Sequence, residues 1–503
     1  MRIFEMILIL VNLISLFLSF KKQSKVVWLL VTGVNLSVFF FHVVFEGVRY
    51  QMAFSYLFVI LLVAYTLIKT NKRFFEARFP KVLKIIVISL SLIFLAATSY
   101  LAYALPVFTL PKPTGSYNVG IKYIRLVDDK RKDPFLNKST QKRELMTKVY
   151  YPAKKDDSKA FDPYFHHSTQ LIKALTDNYH LPEIAFDQLK LVQTNSKEDL
   201  QLSDKQKSYP IILFSHGAGT TMEVETSQCE DLASHGYIVV AIDHTYLSAG
   251  SVFPDKFISP KEITTQFNMG DITTIFSQIM ADDDKFVIKK LGEMNEGKMN
   301  SNFKGKLNLN KIGVIGHSLG GSAAYNLAIN DSRVKAAINL DGTVFTTPKN
   351  FKHMAPFLMI ANDKVQVQTI ENKTTMMPKF ESLSNEDKKI MLSSYGSKEA
   401  YDKAYEKMQQ EIIGLNKVLK ASGNLFTIIG SDHMKFTDIG LWIGDSYLRD
   451  LINITGKTDP AKCLEITKAV TLAFFDQHLK GKTTDSLDLL VKKDPLLKKV
   501  DLK

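Results

Sequence analysis

The sequence predicts a mostly parallel β-sheet with helices on both faces, preceded by a four-helix transmembrane domain. Three observations predict this fold class. Long apolar segments are concentrated before residue 105, short apolar strand-like runs alternate with helical stretches after it, and a glycine-flanked serine follows one of those runs. Short apolar strands separated by helices are typical of parallel sheets that are buried on both faces. A chain of 503 residues has room for two or three domains.

Four N-terminal segments have the length and apolar character of membrane spans, which need roughly 20 residues. They cover residues 3–20, 26–45, 52–68 and 82–104. The first lacks the basic start and small-residue cleavage site of a signal peptide, and three similar segments follow it closely. We therefore predict a four-span domain over residues 1–104, a proline-rich linker over 105–113 and a second domain over 114–503.

The loops between these segments predict how the chain is oriented in the cell membrane. The second loop carries only Arg49 against Glu46, whereas the first and third are basic. Their basic residues are Lys21, Lys22, Lys25, Lys69, Lys72, Arg73, Arg78, Lys81 and Lys84. Cytoplasmic loops carry an excess of Lys and Arg. Both termini and the second domain are therefore expected on the exterior side of a multi-pass protein.

Composition excludes several other classes of protein. The formal charge of +13 belongs partly to these loops and otherwise to scattered lysines without an aromatic-basic motif, which excludes nucleic acid as a partner. Cys229 and Cys463 lack metal-ligand spacing and are expected to be buried thiols. No zinc motif or phosphate loop occurs, so we expect no metal and no cofactor. The lysine-rich, cysteine-poor composition is typical of a bacterial protein, and nothing in it specifies an oligomeric state.

Strand and helix candidates alternate along the second domain. Strands are expected over 146–151, 211–214, 237–242, 312–315, 334–340, 357–360 and 425–429, and helices over 227–234, 272–280, 322–330 and 463–479. Ligands of such sheets bind at the carboxyl ends of the strands, where polar residues cluster here.

Residues 363–420 are expected to form an insertion containing one amphipathic helix. Apolar side chains recur there at three- and four-residue spacing, at Tyr401, Ala404, Met408, Ile412, Leu415 and Leu419. The pattern is compatible with a helix packed on the sheet and with a cap over an active site.

Ser318 lies in a Gly-x-Ser-x-Gly motif formed by Gly316-His317-Ser318-Leu319-Gly320. An apolar strand precedes the motif and a small-residue helix follows it, which is the context of a nucleophile elbow. Such a turn lifts the serine above the sheet, and the helix N-terminus behind it favours developing negative charge. The pattern predicts that Ser318 is a catalytic nucleophile.

A serine nucleophile needs a base, and His433 fits that role. It follows a predicted strand and a Gly-Ser turn, which places an imidazole at the catalytic edge of the sheet. His478 lies in the final predicted helix and is expected to be a surface residue, whereas His317, adjacent to the nucleophile, is expected to be structural.

An orienting carboxylate completes a triad, and two aspartates suit that role. Asp341 ends the strand after the nucleophile, and Asp363 ends the next one. Aspartates are also common in turns after strands. The residues alone leave both candidates open.

The oxyanion hole is expected to use two backbone amides. One is that of Leu319, directly after the nucleophile, and the other is that of Ala218 in the glycine-rich loop 215–221. Such donors contribute roughly 3–4 kcal/mol each to transition-state stabilisation. His216 is expected to order this loop. Asp243 and His244, at the end of the next predicted strand along the chain, are expected to form a structural pair.

At these motifs the chain resembles the platelet-activating factor acetylhydrolases of the plasma and type II kind. The resemblance covers roughly residues 114–480, through segments 114–120, 148–153, 210–219, 231–244, 316–321, 338–345 and 430–436. It implies an α/β-hydrolase fold and metal-independent cleavage of short or oxidatively truncated sn-2 acyl esters of phospholipids. It also implies Asp341 as the acid, with oxyanion donors at Ala218 and Leu319. The predicted membrane spans and the longer stretch before His433 depart from that family.

The sequence therefore predicts a membrane-anchored serine esterase with an exterior catalytic domain. Its expected partners are a lipid or another ester substrate and the membrane itself. One alternative is an acyltransferase acting on lipid or cell-wall acceptors with the same triad. A second is an enzyme similar to the cutin- and polyester-cleaving esterases, whose acid position matches Asp363. A third is a noncatalytic sensor or scaffold.

Overall fold

The computed structural model describes residues 1–21, 23–71, 81–267, 270–345, 354–482 and 486–502, and it divides into two compact units. The helical unit consists of Met1–Thr109, Tyr179–Val192 and Trp442–Ile452. The sheet unit consists of Leu110–Asn178, Gln193–Leu441 and Asn453–Lys503. Two stretches from the predicted second domain therefore belong to the helical unit.

The helices and strands are numbered in chain order. The helices are α1 (Ile3–Leu18), α2 (Lys25–Phe45), α3 (Ala53–Thr70), α4 (Lys81–Ala104), α5 (Ser168–Asn178), α6 (Glu183–Phe186), α7 (Thr226–Ser234), α8 (Ile272–Glu296), α9 (Leu319–Asn330), α10 (Gln366–Asn372), α11 (Asn385–Tyr395), α12 (Lys398–Ser422), α13 (Ser446–Leu451), α14 (Pro460–Lys480) and α15 (Leu487–Lys493). The strands are β1 (Asn118–Lys132), β2 (Lys142–Ala153), β3 (Ser196–Glu198), β4 (Tyr209–Ser215), β5 (Ile238–Asp243), β6 (Ser251–Val252), β7 (Phe257–Ile258), β8 (Leu307–His317), β9 (Val334–Leu340), β10 (Phe357–Asn362), β11 (Leu425–Ile428) and β12 (Leu497–Lys499).

The prediction of four membrane spans is wrong for the first segment. The described residues contain three helices long and apolar enough to cross a membrane, Lys25–Phe45, Tyr50–Thr70 and Val82–Ala104. Helix α1 has 16 residues, which at 1.5 Å per residue covers about 24 Å of a hydrocarbon core of about 30 Å. The helix ends at Leu18, where the chain turns and the Ser19 hydroxyl donates a hydrogen bond to the Leu16 carbonyl.

Hydrogen bonds at each end of the helical unit show how its helices alternate in direction. At one end, Glu46 at the close of α2 accepts hydrogen bonds from the first amides of α1. Arg49 binds Glu5 and the Leu105 carbonyl, 2.6 and 2.7 Å away. At the other end, the Lys84 ammonium donates to the Phe20 carbonyl. The basic residues Lys22, Lys72, Arg73 and Arg78, on which the orientation partly depends, lie outside the described residues, as does the side chain of Lys81.

The two later stretches of the helical unit join the end where α4 finishes. The Gln51 side-chain amide donates to the Ala185 carbonyl at 3.0 Å. The amide of Gly444 donates to the Ala104 carbonyl at 2.8 Å. Residues 179–192 and 442–452 therefore pack on the same end of the helices.

The sheet unit contains a ten-stranded sheet in the order β12-β11-β10-β9-β8-β4-β5-β2-β1-β3. The six strands from β11 to β5 in this order are mutually parallel, whereas β12, β2 and β1 pair antiparallel to their inner neighbours. Helices α8, α9 and α12 contribute to the apolar core on one face, and α7 and α14 to that on the other. The predicted fold class is confirmed for this unit.

All seven predicted strands and four predicted helices are present, while β1, β3, β6, β7 and β12 were not among the predicted strands. Helix α12 contains the predicted amphipathic pattern, and Leu415 and Leu419 are buried in the core on that face of the sheet. Cys229 and Cys463 are buried free thiols, as expected.

Candidate active site

Ser318 occupies the turn between β8 and α9, with φ of 55° and ψ of −119°. A positive φ is strained for a residue with a side chain, and it persists only where the surroundings enforce it. Here the amide of Ser318 donates to the Leu340 carbonyl of β9, and its own carbonyl accepts from Ser322. These bonds fix the elbow that the motif predicts.

The glycines on either side of the elbow allow the close approach of backbone segments. A Cβ on Gly316 would lie 2.2 Å from the carbonyl carbon of Gly320. One on Gly320 would lie 2.1 Å from the Ser215 carbonyl oxygen of β4. Any side chain at either position would push the helix away from the strands and displace Ser318.

His433 and Asp341 are brought together at the carboxyl edge of the sheet. His433 begins a short 3-10 helix after β11, and its Nδ1 lies 2.8 Å from Oδ2 of Asp341, which follows β9. The Asp341 side chain is 1% exposed and that of His433 is 41% exposed. Because the carboxylate accepts from Nδ1, the neutral imidazole carries its lone pair on Nε2, which makes no hydrogen bond within the described residues.

The pKa of His433 lies above its ordinary value of 6.5. Burial lowers this pKa, but the hydrogen bond that His433 donates to Asp341, the negative charge of Asp341 and that of Asp432 outweigh the effect of burial. The arrangement thus makes the imidazole a stronger base than an exposed histidine.

Asp341 has a second partner that the sequence reasoning missed. The main-chain amide of Asn362, the last residue of β10, donates to Oδ1 of Asp341 at 2.7 Å. Its side-chain amide donates to both carboxylate oxygens, at 3.0 and 2.8 Å. The only signal in the sequence is a polar residue at the end of the next parallel strand, directly before Asp363.

Asp363, the alternative acid, lies at a different place. Its Oδ2 accepts a hydrogen bond from the amide of Gly430 at 3.0 Å, in the turn that leads from β11 to His433. The structure therefore brings Asp341, and not Asp363, to the imidazole. Asp363 instead stabilises the loop that carries His433.

His317 contacts His433 from the nucleophile side. Its Nε2 donates to the His433 carbonyl at 2.9 Å, and the two ring centroids are 4.5 Å apart. Burial and the nearby His433 lower the pKa of His317 well below its ordinary value, so it remains neutral. The sequence predicted that His317 is structural. Its hydrogen bond to the His433 carbonyl supports the loop that carries the predicted base.

The glycine-rich loop after β4 lies directly against the nucleophile. A Cβ on Gly217 would be 3.1 Å from Cβ of Ser318. Ala218 is the next residue, and its amide has no acceptor among the described residues. Leu319 is the first residue of α9, so its amide has no partner within the helix. Both predicted donors are thus unpaired near Ser318.

His216 orders this loop through both ring nitrogens. Nδ1 donates to the Gly217 carbonyl at 2.7 Å, and Nε2 accepts from the amide of His244 at 3.1 Å. Burial lowers the pKa of His216 to about 3, so the ring stays neutral and keeps this pairing. The loop-ordering role expected for His216 agrees with these contacts.

The family model described as platelet-activating factor acetylhydrolase, isoform II, matches residues 104–291 and 290–495. The platelet-activating factor acetylhydrolase of Cavia porcellus is 23% identical over 396 residues, covering 74% of this chain and 78% of the relative. That of Canis lupus familiaris is 24% identical over 406 residues, covering 76% and 80%. A probable 1-alkyl-2-acetylglycerophosphocholine esterase of Arthroderma benhamiae is 28% identical over 251 residues, covering 47% of this chain and 59% of the relative.

Among solved structures, a ferulic acid esterase from Streptomyces cinnamoneus aligns with a TM-score of 0.53 and 23% identity. The alignment covers 78% of this chain and 99% of that enzyme, and it supports the α/β-hydrolase fold of the sheet unit. The family model spans most of the chain, and the resemblance seen in the sequence motifs is confirmed. The chain belongs to the family of platelet-activating factor acetylhydrolases, isoform II.

Proposed function

We propose that this protein is a membrane-anchored serine esterase that cleaves short or truncated acyl esters of lipids. The family consists of carboxylic ester hydrolases, and this chain is one of them. The observation that supports our assignment of residues is the 2.8 Å contact between His433 and Asp341 beside the strained Ser318. We assign Ser318 as nucleophile, His433 as base and Asp341 as the orienting acid.

In the first half-reaction, Nε2 of His433 takes the proton of the Ser318 hydroxyl while Oγ attacks the ester carbonyl. The amides of Ala218 and Leu319 donate hydrogen bonds to the resulting oxyanion. The intermediate collapses when His433 returns the proton to the leaving alcohol, which leaves an acyl group on Ser318. His433 then takes a proton from the water that attacks the acyl-enzyme, and the second intermediate releases the carboxylic acid as His433 returns that proton to Oγ of Ser318.

The helical unit supports a location at the membrane. We propose that its three long apolar helices span the cell membrane, with the catalytic domain on the exterior. The described Lys84 lies at the end opposite to Arg49, as the distribution of basic loops requires. Large apolar side chains of the two later stretches are exposed at the Arg49 end, namely Ile184, Tyr447 and Leu451. An exposed apolar rim next to membrane helices favours a lipid or lipophilic ester as substrate.

The test is hydrolysis of p-nitrophenyl esters from acetyl to palmitoyl by the full chain in detergent, with Ser318→Ala as the control. We expect activity on short acyl chains and a loss of at least about 1000-fold in the variant. Retention of most activity by Ser318→Ala would reject the mechanism. Activity that rises with chain length would reject the short-acyl assignment, and transfer of the acyl group to an added alcohol in preference to water would identify an acyltransferase.

A further inference from the structure

Two adjacent aspartates of α8, Asp283 and Asp284, are buried and take no part in the triad. Asp283 is 0% exposed and Asp284 is 1% exposed. Asp284 contacts Ser215, the last residue of β4, where the chain enters the glycine-rich loop 215–221. A buried carboxyl group is costly unless hydrogen bonds or cations compensate it. The two aspartates have different partners, and each therefore needs its own account.

Asp283 is compensated by cations. The Arg143 guanidinium, which is itself buried, lies 2.6 Å from Oδ2 of Asp283, and Arg131 donates to Oδ1 at 2.9 Å. Burial alone would raise the pKa of Asp283, but the charge of Arg143 and the hydrogen bonds from His244 and Arg143 hold it well below its ordinary value. Asp283 is therefore ionised.

Asp284 has no such compensation. Its Oδ1 lies 3.0 Å from Oγ of Ser215, and no cation pairs with this carboxyl group within the described part of the chain. Lys285, the next residue, binds Asp282 at 2.9 Å instead. Burial, with the nearby charge of Asp283, raises the pKa of Asp284 well above its ordinary value and outweighs the hydrogen bond with Ser215.

The two aspartates are joined by a chain of three hydrogen bonds. Oγ of Ser215 also lies 3.0 Å from Nε2 of His244, and Nδ1 of His244 lies 3.1 Å from Oδ2 of Asp283. Each of the three hydrogen bonds needs one proton. The Ser215 hydroxyl supplies one proton and a neutral His244 ring supplies another, whereas ionised Asp283 supplies none. The third proton must come from Asp284 or, as a second ring proton, from His244.

The surroundings of His244 favour Asp284 as the source. Burial lowers the pKa of His244, and the charge of Arg143 adds to this, so the hydrogen bond with Asp283 and its charge do not compensate. With a neutral ring, all three bonds run in one direction. The Asp284 carboxyl group donates to Oγ of Ser215, the Ser215 hydroxyl donates to Nε2 of His244, and Nδ1 of His244 donates to Asp283.

This chain lies next to the loop that carries the predicted oxyanion donor Ala218. Ser215 leads directly into the loop, and the main-chain amide of His244 donates to Nε2 of His216 at 3.1 Å. Two further main-chain hydrogen bonds of 2.8 Å join the loop to residues 244–249, in the pairs Gly219–Leu247 and Ala249–Thr220. Ala218 lies between these anchored positions. A displacement of Ser215 or His244 would therefore move the Ala218 amide.

We propose that Asp284 carries a proton, donates it in a hydrogen bond to Ser215 and thereby acts as a positioning residue of the oxyanion loop. An ionised Asp284 would accept the Ser215 proton, and Nε2 of a neutral His244 would then lose its hydrogen bond. The effect on hydrolysis rests on the proposed esterase function, whereas the proton on Asp284 does not.

The proton is tested by infrared difference spectroscopy of the full chain in detergent at neutral pH. We expect the difference between the parent and Asp284→Asn to contain the carbonyl stretching band of a protonated carboxylic acid. The control is Asp282→Asn, because Asp282 lies on the same helix but is 41% exposed and paired with Lys285. Its difference spectrum should contain carboxylate bands alone. Carboxylate bands alone for Asp284→Asn would overturn the proposal and assign the third proton to His244.

The positioning role is tested by the kinetics of a short p-nitrophenyl ester. Asp284→Asn keeps a donor for Ser215, so kcat should change less than about threefold, whereas Asp284→Leu and Ser215→Ala break the chain. We expect kcat to fall about 10- to 100-fold in both, with little change in KM, which is less than the loss of an oxyanion donor itself. The matched control is Ser234→Ala, which removes a similarly buried hydroxyl whose partners are Gly115 and Asp231, and it should keep its kcat.

Unchanged kcat in Ser215→Ala, or equal losses in Asp284→Asn and Asp284→Leu, would overturn the positioning role. A loss in folded Ser234→Ala as large as that in Ser215→Ala would also overturn it, because any buried hydroxyl would then have the same effect. An inactive parent would refute the esterase proposal and the positioning role together, and the infrared spectrum would still decide whether Asp284 carries the proton.

Discussion

Asp341 and Asp363 follow neighbouring parallel strands and lie at the same edge of the sheet, yet their carboxylates bind different partners. Asp341 accepts hydrogen bonds from His433 and from Asn362. Asp363, directly after Asn362, accepts from the main-chain amide of Gly430. One carboxylate orients a side chain that can move protons, and the other fixes a turn.

The difference shows that position at a strand end does not define a triad acid. Asp341 itself has a φ of 56°, which bends the chain after β9, where its side chain reaches His433. Asp363 follows β10, and the turn after β11, the strand that pairs with β10, places the Gly430 amide at its carboxylate. The partner available at the next strand decides which role each carboxylate takes.

The largest expected effect is that of Asp341→Asn. We expect kcat to fall by about 10⁴-fold, because an amide can hold the imidazole in the wrong tautomer and cannot stabilise its charged form. Steady-state hydrolysis of a short p-nitrophenyl ester measures the loss. A loss confined to less than tenfold in a folded protein would show that another group orients His433.

Asn362→Ala tests the support of Asp341 and is expected to have an intermediate effect. It removes two side-chain hydrogen bonds to the carboxylate and keeps the main-chain one. We expect kcat to fall about 10- to 100-fold with little change in KM, by analogy with other orienting partners of catalytic ligands. Unchanged kcat would mean that the main-chain bond alone holds Asp341.

The pH dependence of kcat/KM gives a third test. The reaction needs neutral His433, so activity is lost as pH falls through its pKa, which lies above the ordinary 6.5. In Asp341→Asn the raising influence of the carboxylate is removed while burial remains, so the residual activity should hold to a lower pH. A shift of the acid limb to higher pH would contradict this electrostatic account.

Asp363→Asn is expected to have the smallest effect. An amide oxygen can still accept from Gly430, so kcat/KM should change less than about threefold, and the free energy of unfolding should fall by about 1 kcal/mol. Urea unfolding measures the stability. A kinetic loss larger than that of Asp341→Asn would transfer the acid role to Asp363 and favour the polyester-esterase arrangement.

Sequence periodicity predicted the buried parallel strands because each is a short apolar run between turns. It missed β1, whose residues are partly charged because it pairs near the sheet edge, and β12, which has only three residues. The nucleophile followed from local glycines around Ser318. The choice between two aspartates depended instead on Asn362 and Gly430, which are distant in sequence from Asp341 and His433, and no local pattern encodes such contacts.

The apolar length of α1 illustrates a different limit of prediction. The hydropathy of residues 3–20 is continuous, but the helix ends at Leu18 and the chain turns at Ser19 and Phe20. Hydropathy averaged over a window of residues reports composition, whereas the length of a membrane span depends on where the helix ends.

The discontinuous helical unit has a consequence for biogenesis. Gln51 and the Ala104 carbonyl are made early, but their partners Ala185 and Gly444 leave the ribosome much later. A nascent chain that stalls between these points holds its long apolar helices with one end unfinished. Only translation past residue 452 completes the unit, so its assembly waits for residues that are made after most of the sheet unit.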